Sequence, residues 1–101
     1  MADAEILMDE SLTLSDRYRV DLKAYKVKPS GKHPEDVKVK YILIDVIERK
    51  PRILVDNHSP FGFHVHTRLP ADKAHRLPLA TTDYLEALRE FRRLVAEVLA
   101  Q

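Results

Sequence analysis

The sequence predicts an α+β domain in which an antiparallel meander of four to five strands packs on one C-terminal helix. Three observations carry this. Residues 5–57 contain short runs of alternating or β-branched apolar residues separated by turn signals. Residues 82–100 repeat apolar side chains at helical spacing. The chain has 101 residues, enough for one core but not two. The expected organisation is a single domain over 1–101, with strands over about 5–57, a loop over 58–80 and a helix over about 82–100.

Glu5 to Leu12 reads as a first strand through Ile6, Met8 and Leu12, and Ser15-Asp16-Arg17 supplies turn chemistry. Arg19 to Lys28 reads as a second strand. Its apolar phase runs Val20, Leu22, Ala24 and then moves to Tyr25 and Val27, the shift that a β-bulge in this strand produces. Pro29 to Pro34 is a loop. Val37 to Glu48 is the strongest strand. It is amphipathic at first and apolar on both faces from Tyr41 to Ile47, apart from Asp45, as a central strand is. Lys50-Pro51 breaks it, and Ile53 to Val55 forms a short fourth strand ending at Asp56-Asn57. The stretch from Asn57 to Leu79 holds Pro60, Pro70 and Pro78 and reads as loop, with Phe63 to Thr67 as a short edge strand.

In the final segment Leu85, Leu88, Phe91, Val95 and Leu99 form an apolar stripe. Thr82 is the expected N-cap, with Asp83 in the first turn. This helix is the one large apolar element available to cover a sheet face.

Charge is balanced overall at +1 but unevenly spread. Residues 1–16 carry Asp3, Glu5, Asp9, Glu10 and Asp16 and no Lys or Arg; residues 17–52 carry eleven Lys or Arg against five acids. The simpler expectation is that the two segments are neighbouring strands that pair their charges. The sharper one is a basic surface for a polyanion such as RNA. Cysteine is absent, which excludes disulfides, a thiolate nucleophile and zinc–thiolate sites and suits a cytoplasmic location. No apolar run approaches the roughly 20 residues of a membrane span. The acidic N-terminus has no basic n-region, so no signal peptide is expected. No Gly-rich phosphate loop or nucleophile elbow occurs.

The chemistry-bearing residues cluster between Asp56 and His66. In an extended segment His64 and His66 point to one side, about 6.6 Å apart along the chain. Two imidazoles so placed suit metal binding or paired acid and base catalysis. They equally suit two solvent-facing loop histidines. Asp56 and His58 are near in sequence, but spacing specifies no further ligand, so no metal or other cofactor is assigned and a metal-binding His site stays an alternative. Asp56-Asn57 are ordinary turn residues. In a functional reading they are a carboxylate and an amide held at a strand end, with Asp56 orienting a histidine. Lys26 and Lys28 share a face, as do Lys38 and Lys40; if the strands pair, they form either one phosphate-binding patch or a solvated edge. Phe61 and Phe63 flank Gly62 and are expected to plug the loop onto the core rather than stack on bases.

Asp56-Asn57, six residues, then His64-Val65-His66 resembles the DN…HxH signature of the TumE-type toxins of prokaryotic toxin–antitoxin pairs. Leu14-Ser15-Asp16 resembles the family's early turn, Lys38 to Asp45 its central strand, and Gly62 falls where it usually has glycine. Phe63 departs from it, standing where the family often has an acidic residue. The resemblance implies a growth-inhibiting toxin neutralised by a helix-turn-helix antitoxin. On that expectation His64, His66, Asp56 and Asn57 are the catalytic candidates of a ribonuclease-like reaction without metal, and Lys38, Lys40 and Arg68 supply charge to the phosphate. The competing expectation is a non-catalytic binding module, such as a homodimer that pairs an exposed strand or a module that docks a partner's helix face.

Overall fold

A computed structural model describes residues 5–28, 37–58, 62–66, 76–79, 81 and 83–100. Among them are six strands, β1 (Glu5–Thr13), β2 (Tyr18–Lys26), β3 (Val37–Asp45), β4 (Lys50–His58), β5 (Gly62–His66) and β6 (Arg76–Pro78), followed by helix α1 (Tyr84–Leu99). The strands form one antiparallel sheet in the order β1-β2-β3-β4-β5-β6. The α+β meander is as expected, with one strand more than the four to five predicted. The extra one, β6, has three residues and ends in Pro78. It is too short to show a period, and pairing with β5 makes it a strand. A proline is tolerated there because β6 is an edge.

Alternation along the strands sends Val20, Leu22, Ala24, Val37, Val39, Tyr41, Leu43, Ile53, Val55, Phe63 and Val65 to one face, where they are buried with Ala87, Phe91 and Val95 of the helix. The three helix residues are four apart and so lie in one row. The helix lies over β3 and β4. Phe91 packs on Tyr41 with ring centroids 5.9 Å apart, and the Tyr41 hydroxyl donates to the Tyr84 carbonyl at 2.9 Å. Burial holds the Tyr41 phenol well above its usual range, so it remains a donor. The helix begins one residue later than expected: Asp83 is the N-cap, its carboxylate accepting from Leu85 N–H at 3.0 Å, and Thr82 lies outside the described residues.

The bulge predicted in β2 sits in its neighbour. Ile6 pairs with Tyr25 and Met8 with Ala24, so Leu7 is the extra residue and β2 keeps a regular period through Lys26. Sequence phase cannot say which of two paired strands carries the irregularity. The strand expected from Val37 to Glu48 ends at Asp45, so Val46 and Ile47 fall in the turn, and Pro51, expected to break that strand, lies inside β4. Leu43 pairs with Ile53 and Ile44 with Pro51, which leaves Arg52 as a second bulge and spares the proline a regular ladder position.

The β1–β2 turn is held by Ser15, whose hydroxyl accepts from Arg17 N–H at 3.2 Å and Tyr18 N–H at 3.1 Å. Asp45, fully buried, organises the β3–β4 turn. One carboxylate oxygen accepts from the N–H groups of Ile47 and Glu48 at 3.1 and 3.0 Å, and the other takes the Arg17 guanidinium at 2.9 Å. These contacts hold its carboxyl below the usual carboxylate range, the Glu48 N–H first and Arg17 after it. Arg49 closes that turn at φ 58°, in the left-handed region.

Candidate functional site

The second face of the sheet, opposite the helix, carries the polar residues. In β4, Ile53, Val55 and Asn57 are buried on the helix side, so Leu54 and Asp56 point the other way. In β5, Phe63 and Val65 enter the core, so His64 and His66 join Asp56. The register then sets a line across four strands: Lys23 lies opposite Lys40, Lys40 opposite Asp56, and Asp56 opposite His64. At about 4.8 Å per strand the line spans about 14 Å. One step along, Leu54 faces His66. A depression of about 220 Å³, lined by Asp21, Lys23, Lys40, Ile42 and Ile44, adjoins it.

The two imidazoles share a side, as the spacing predicted, and lean together to a centroid distance of 4.8 Å with planes at 87°. They are not solvent-facing: His64 is 1% and His66 8% exposed. The pattern of a five-residue strand specifies which way a ring points, not what comes to lie near it. Asp56 is half-buried, and its Oδ1 accepts from Asn57 N–H at 2.7 Å. A carboxylate directly across a β pair from an imidazole is placed to orient that ring.

Asn57 stands apart from the other candidates. It lies on the helix side, fully buried, with Oδ1 accepting from Val39 N–H at 2.7 Å and Nδ2 donating to the Val37 carbonyl at 2.6 Å. The last backbone-paired residues of β3 and β4 are Lys40 and Asp56. Beyond them the Asn57 amide replaces the ladder. Alternation puts its side chain on the helix side, so the structure does not bring it together with Asp56, His64 and His66.

Lys38 and Lys40 are exposed on the second face, as predicted, but their companion is Lys23. Lys26 pairs with Val37 and so belongs to the helix side. The patch drawn with Lys26 followed from placing the bulge in β2. A one-residue shift in phase exchanges the faces, and nothing short of the register identifies Lys23. Lys28 follows the end of β2. Phe63 is in the core, as expected of a plug. Arg68, Phe61, His33 and His75 lie outside the described residues, as does the side chain of His58. Among the described residues no group of three or more His, Asp or Glu is placed to hold a metal ion, and no helix is long and apolar enough to cross a membrane.

No protein-family model, curated protein or solved structure matches this chain. The geometry of the second face is therefore the ground for a functional reading.

Proposed function

We propose that this chain is a toxin-like protein that acts on RNA through the second face of its sheet, with His64 and His66 as the acid–base pair. The observation that carries the reading is the row Lys23, Lys40, Asp56 and His64, with His66 against His64. It sets cations, a carboxylate and two imidazoles on adjacent strands, the groups that metal-free cleavage of a phosphodiester uses. One imidazole takes the proton of the ribose 2′-hydroxyl, whose oxygen then attacks phosphorus. The other gives a proton to the departing 5′-oxygen, leaving a 2′,3′-cyclic phosphate. Lys23, Lys38 and Lys40 draw the phosphate in, and Asp56 orients His64. The resemblance to TumE-type toxins adds a cytoplasmic setting and a helix-turn-helix antitoxin as partner.

One observation favours a second reading. Because both imidazoles are nearly inaccessible, a module that holds RNA on its lysines without cleaving it also fits. One experiment separates the two. The chain is expressed from an inducible promoter in a bacterium, and the purified protein is incubated with end-labelled RNA. The proposal expects growth arrest and cyclic-phosphate ends, both lost in His64→Gln/His66→Gln while far-UV circular dichroism is unchanged. Binding without cleavage supports the second reading. Equal arrest by the folded double variant removes the histidines from the mechanism.

A further inference from the structure

The acid–base row does not account for the aliphatic residues on the second face. β3 enters that face with Lys38 and Lys40 and continues it with Ile42 and Ile44. α1 covers the opposite face, so it is not the helix that these two half-buried isoleucines serve. With Asp21, Lys23 and Lys40 they line the depression of about 220 Å³. Register sets Lys23 directly opposite Lys40 and Asp21 directly opposite Ile42.

Charge divides the depression into two ends. At one end stand Lys23 and Lys40, and like charges on directly opposite residues are destabilising in a bare sheet. Their acidic neighbours lie outside the pair: Asp9 is beyond Lys23 on β1, and Asp56 is beyond Lys40 on β4. A phosphate seated between the two ammonium groups turns the repulsion into charge-assisted hydrogen bonds. At the other end, two and four residues along β3 from Lys40 and so about 7 and 13 Å away, Ile42 and Ile44 form an aliphatic floor with Asp21 at its side. The Asp21 side chain is 22% exposed. Its Oδ1 accepts from the Ser11 hydroxyl at 2.6 Å and its Oδ2 from Arg19 at 3.5 Å. A carboxylate has about four lone-pair sites, so one stays open on each oxygen. Two adjacent acceptors match the two adjacent donors of guanine, N1–H and the 2-amino group. Uracil instead sets one N–H between two carbonyl oxygens, which a carboxylate repels.

We propose that this depression is a nucleotide subsite that prefers guanine, with the phosphate between Lys23 and Lys40, the base on Ile42 and Ile44, and the Watson–Crick edge on Asp21. The assignment rests on the RNA reading of this face. Lys40 is two strands from His64, about 10 Å, so the phosphate held in the subsite neighbours the one on which the imidazoles act. The subsite thereby sets which nucleotide stands beside the cut.

The test is isothermal titration calorimetry of the full chain with the four nucleoside 5′-monophosphates, none of which has a phosphodiester to cleave. The guanine nucleotide is expected to bind at least about tenfold more tightly than the uracil nucleotide. Guanosine, which lacks the phosphate, is expected to bind about tenfold more weakly than its monophosphate. Asp21→Asn removes the base preference, and Ile42→Ser weakens all four nucleotides by about fivefold without changing their order. The preference is a ratio of affinities within one variant, so a general loss of structure cannot imitate it, and circular dichroism checks that each variant is folded. No binding, equal binding of the four, a preference that survives Asp21→Asn, or affinities untouched by Ile42→Ser overturns the proposal. The RNA reading fails separately. A UUGU tetranucleotide that binds no more tightly than the guanine nucleotide alone makes the ligand a free nucleotide, and removes that reading while the site stands. Cleavage of RNA by a chain without base preference removes the subsite and leaves the reading.

Discussion

At the buried end of β3, one amide side chain stands in for a missing stretch of ladder. Removing it in Asn57→Ala leaves Val39 N–H and the Val37 carbonyl without that partner, and the expected loss is about 1–3 kcal/mol in urea denaturation. Asn57→Asp is expected to lose more, because a carboxylate still accepts from Val39 but is set against the Val37 carbonyl. Asp45 makes the other residue-scale prediction. Its folded pKa lies below the unfolded value, held there by the Glu48 N–H and Arg17. Its contribution to stability is therefore complete above about pH 4, the unfolded value, and is lost as pH falls through the folded one. Thermal melts of the native chain should drop below pH 4, and Asp45→Asn should flatten that acid limb. A period of two places His64 and His66 on one side, and the register of β4 with β5 adds Asp56 to it. Their burial was not legible, because a strand pattern counts faces and not neighbours.

Among the elements, the helix was the most legible, because its apolar residues recur over about four turns. Phe91 is buried against Tyr41, so Phe91→Ala is expected to cost about 3–5 kcal/mol. Asp83→Ala, which removes the N-cap, is expected to cost about 1 kcal/mol. Arg93 pairs with Glu90 and Glu97 on the exposed side, and Arg93→Ala is expected to change stability by less than about 1 kcal/mol. Chemical denaturation of the three variants should rank them in that order. Strands were legible where apolar residues alternate for six positions or more, as in β3. β4 was cut short at Pro51 and β6 was missed. In both cases a proline sits where local chemistry argues against a strand, and a bulge or an edge position removes the objection.

For the whole molecule, the register gathers Lys23, Lys38 and Lys40 on the second face. If Lys23, Lys38 and Lys40 together meet an RNA backbone, replacing all three with Gln should weaken binding and reduce the slope of log affinity against log salt by about 2, at about 0.7 per phosphate on a single strand. Lys26→Gln, on the helix side, should leave the slope unchanged. Fluorescence anisotropy across a salt series reads both. The sequence by itself determined the fold class, the covering helix, the hairpin turn at Ser15 and the common side of the two histidines. All of these follow from side-chain periodicity and turn chemistry within a few residues. Only the tertiary structure decided that Lys23 rather than Lys26 joins Lys40, that Asn57 serves β3 from the far face, and that the imidazoles are enclosed. Those outcomes depend on register between strands, where one bulge exchanges the faces of everything beyond it, and no local pattern records which strand takes the extra residue.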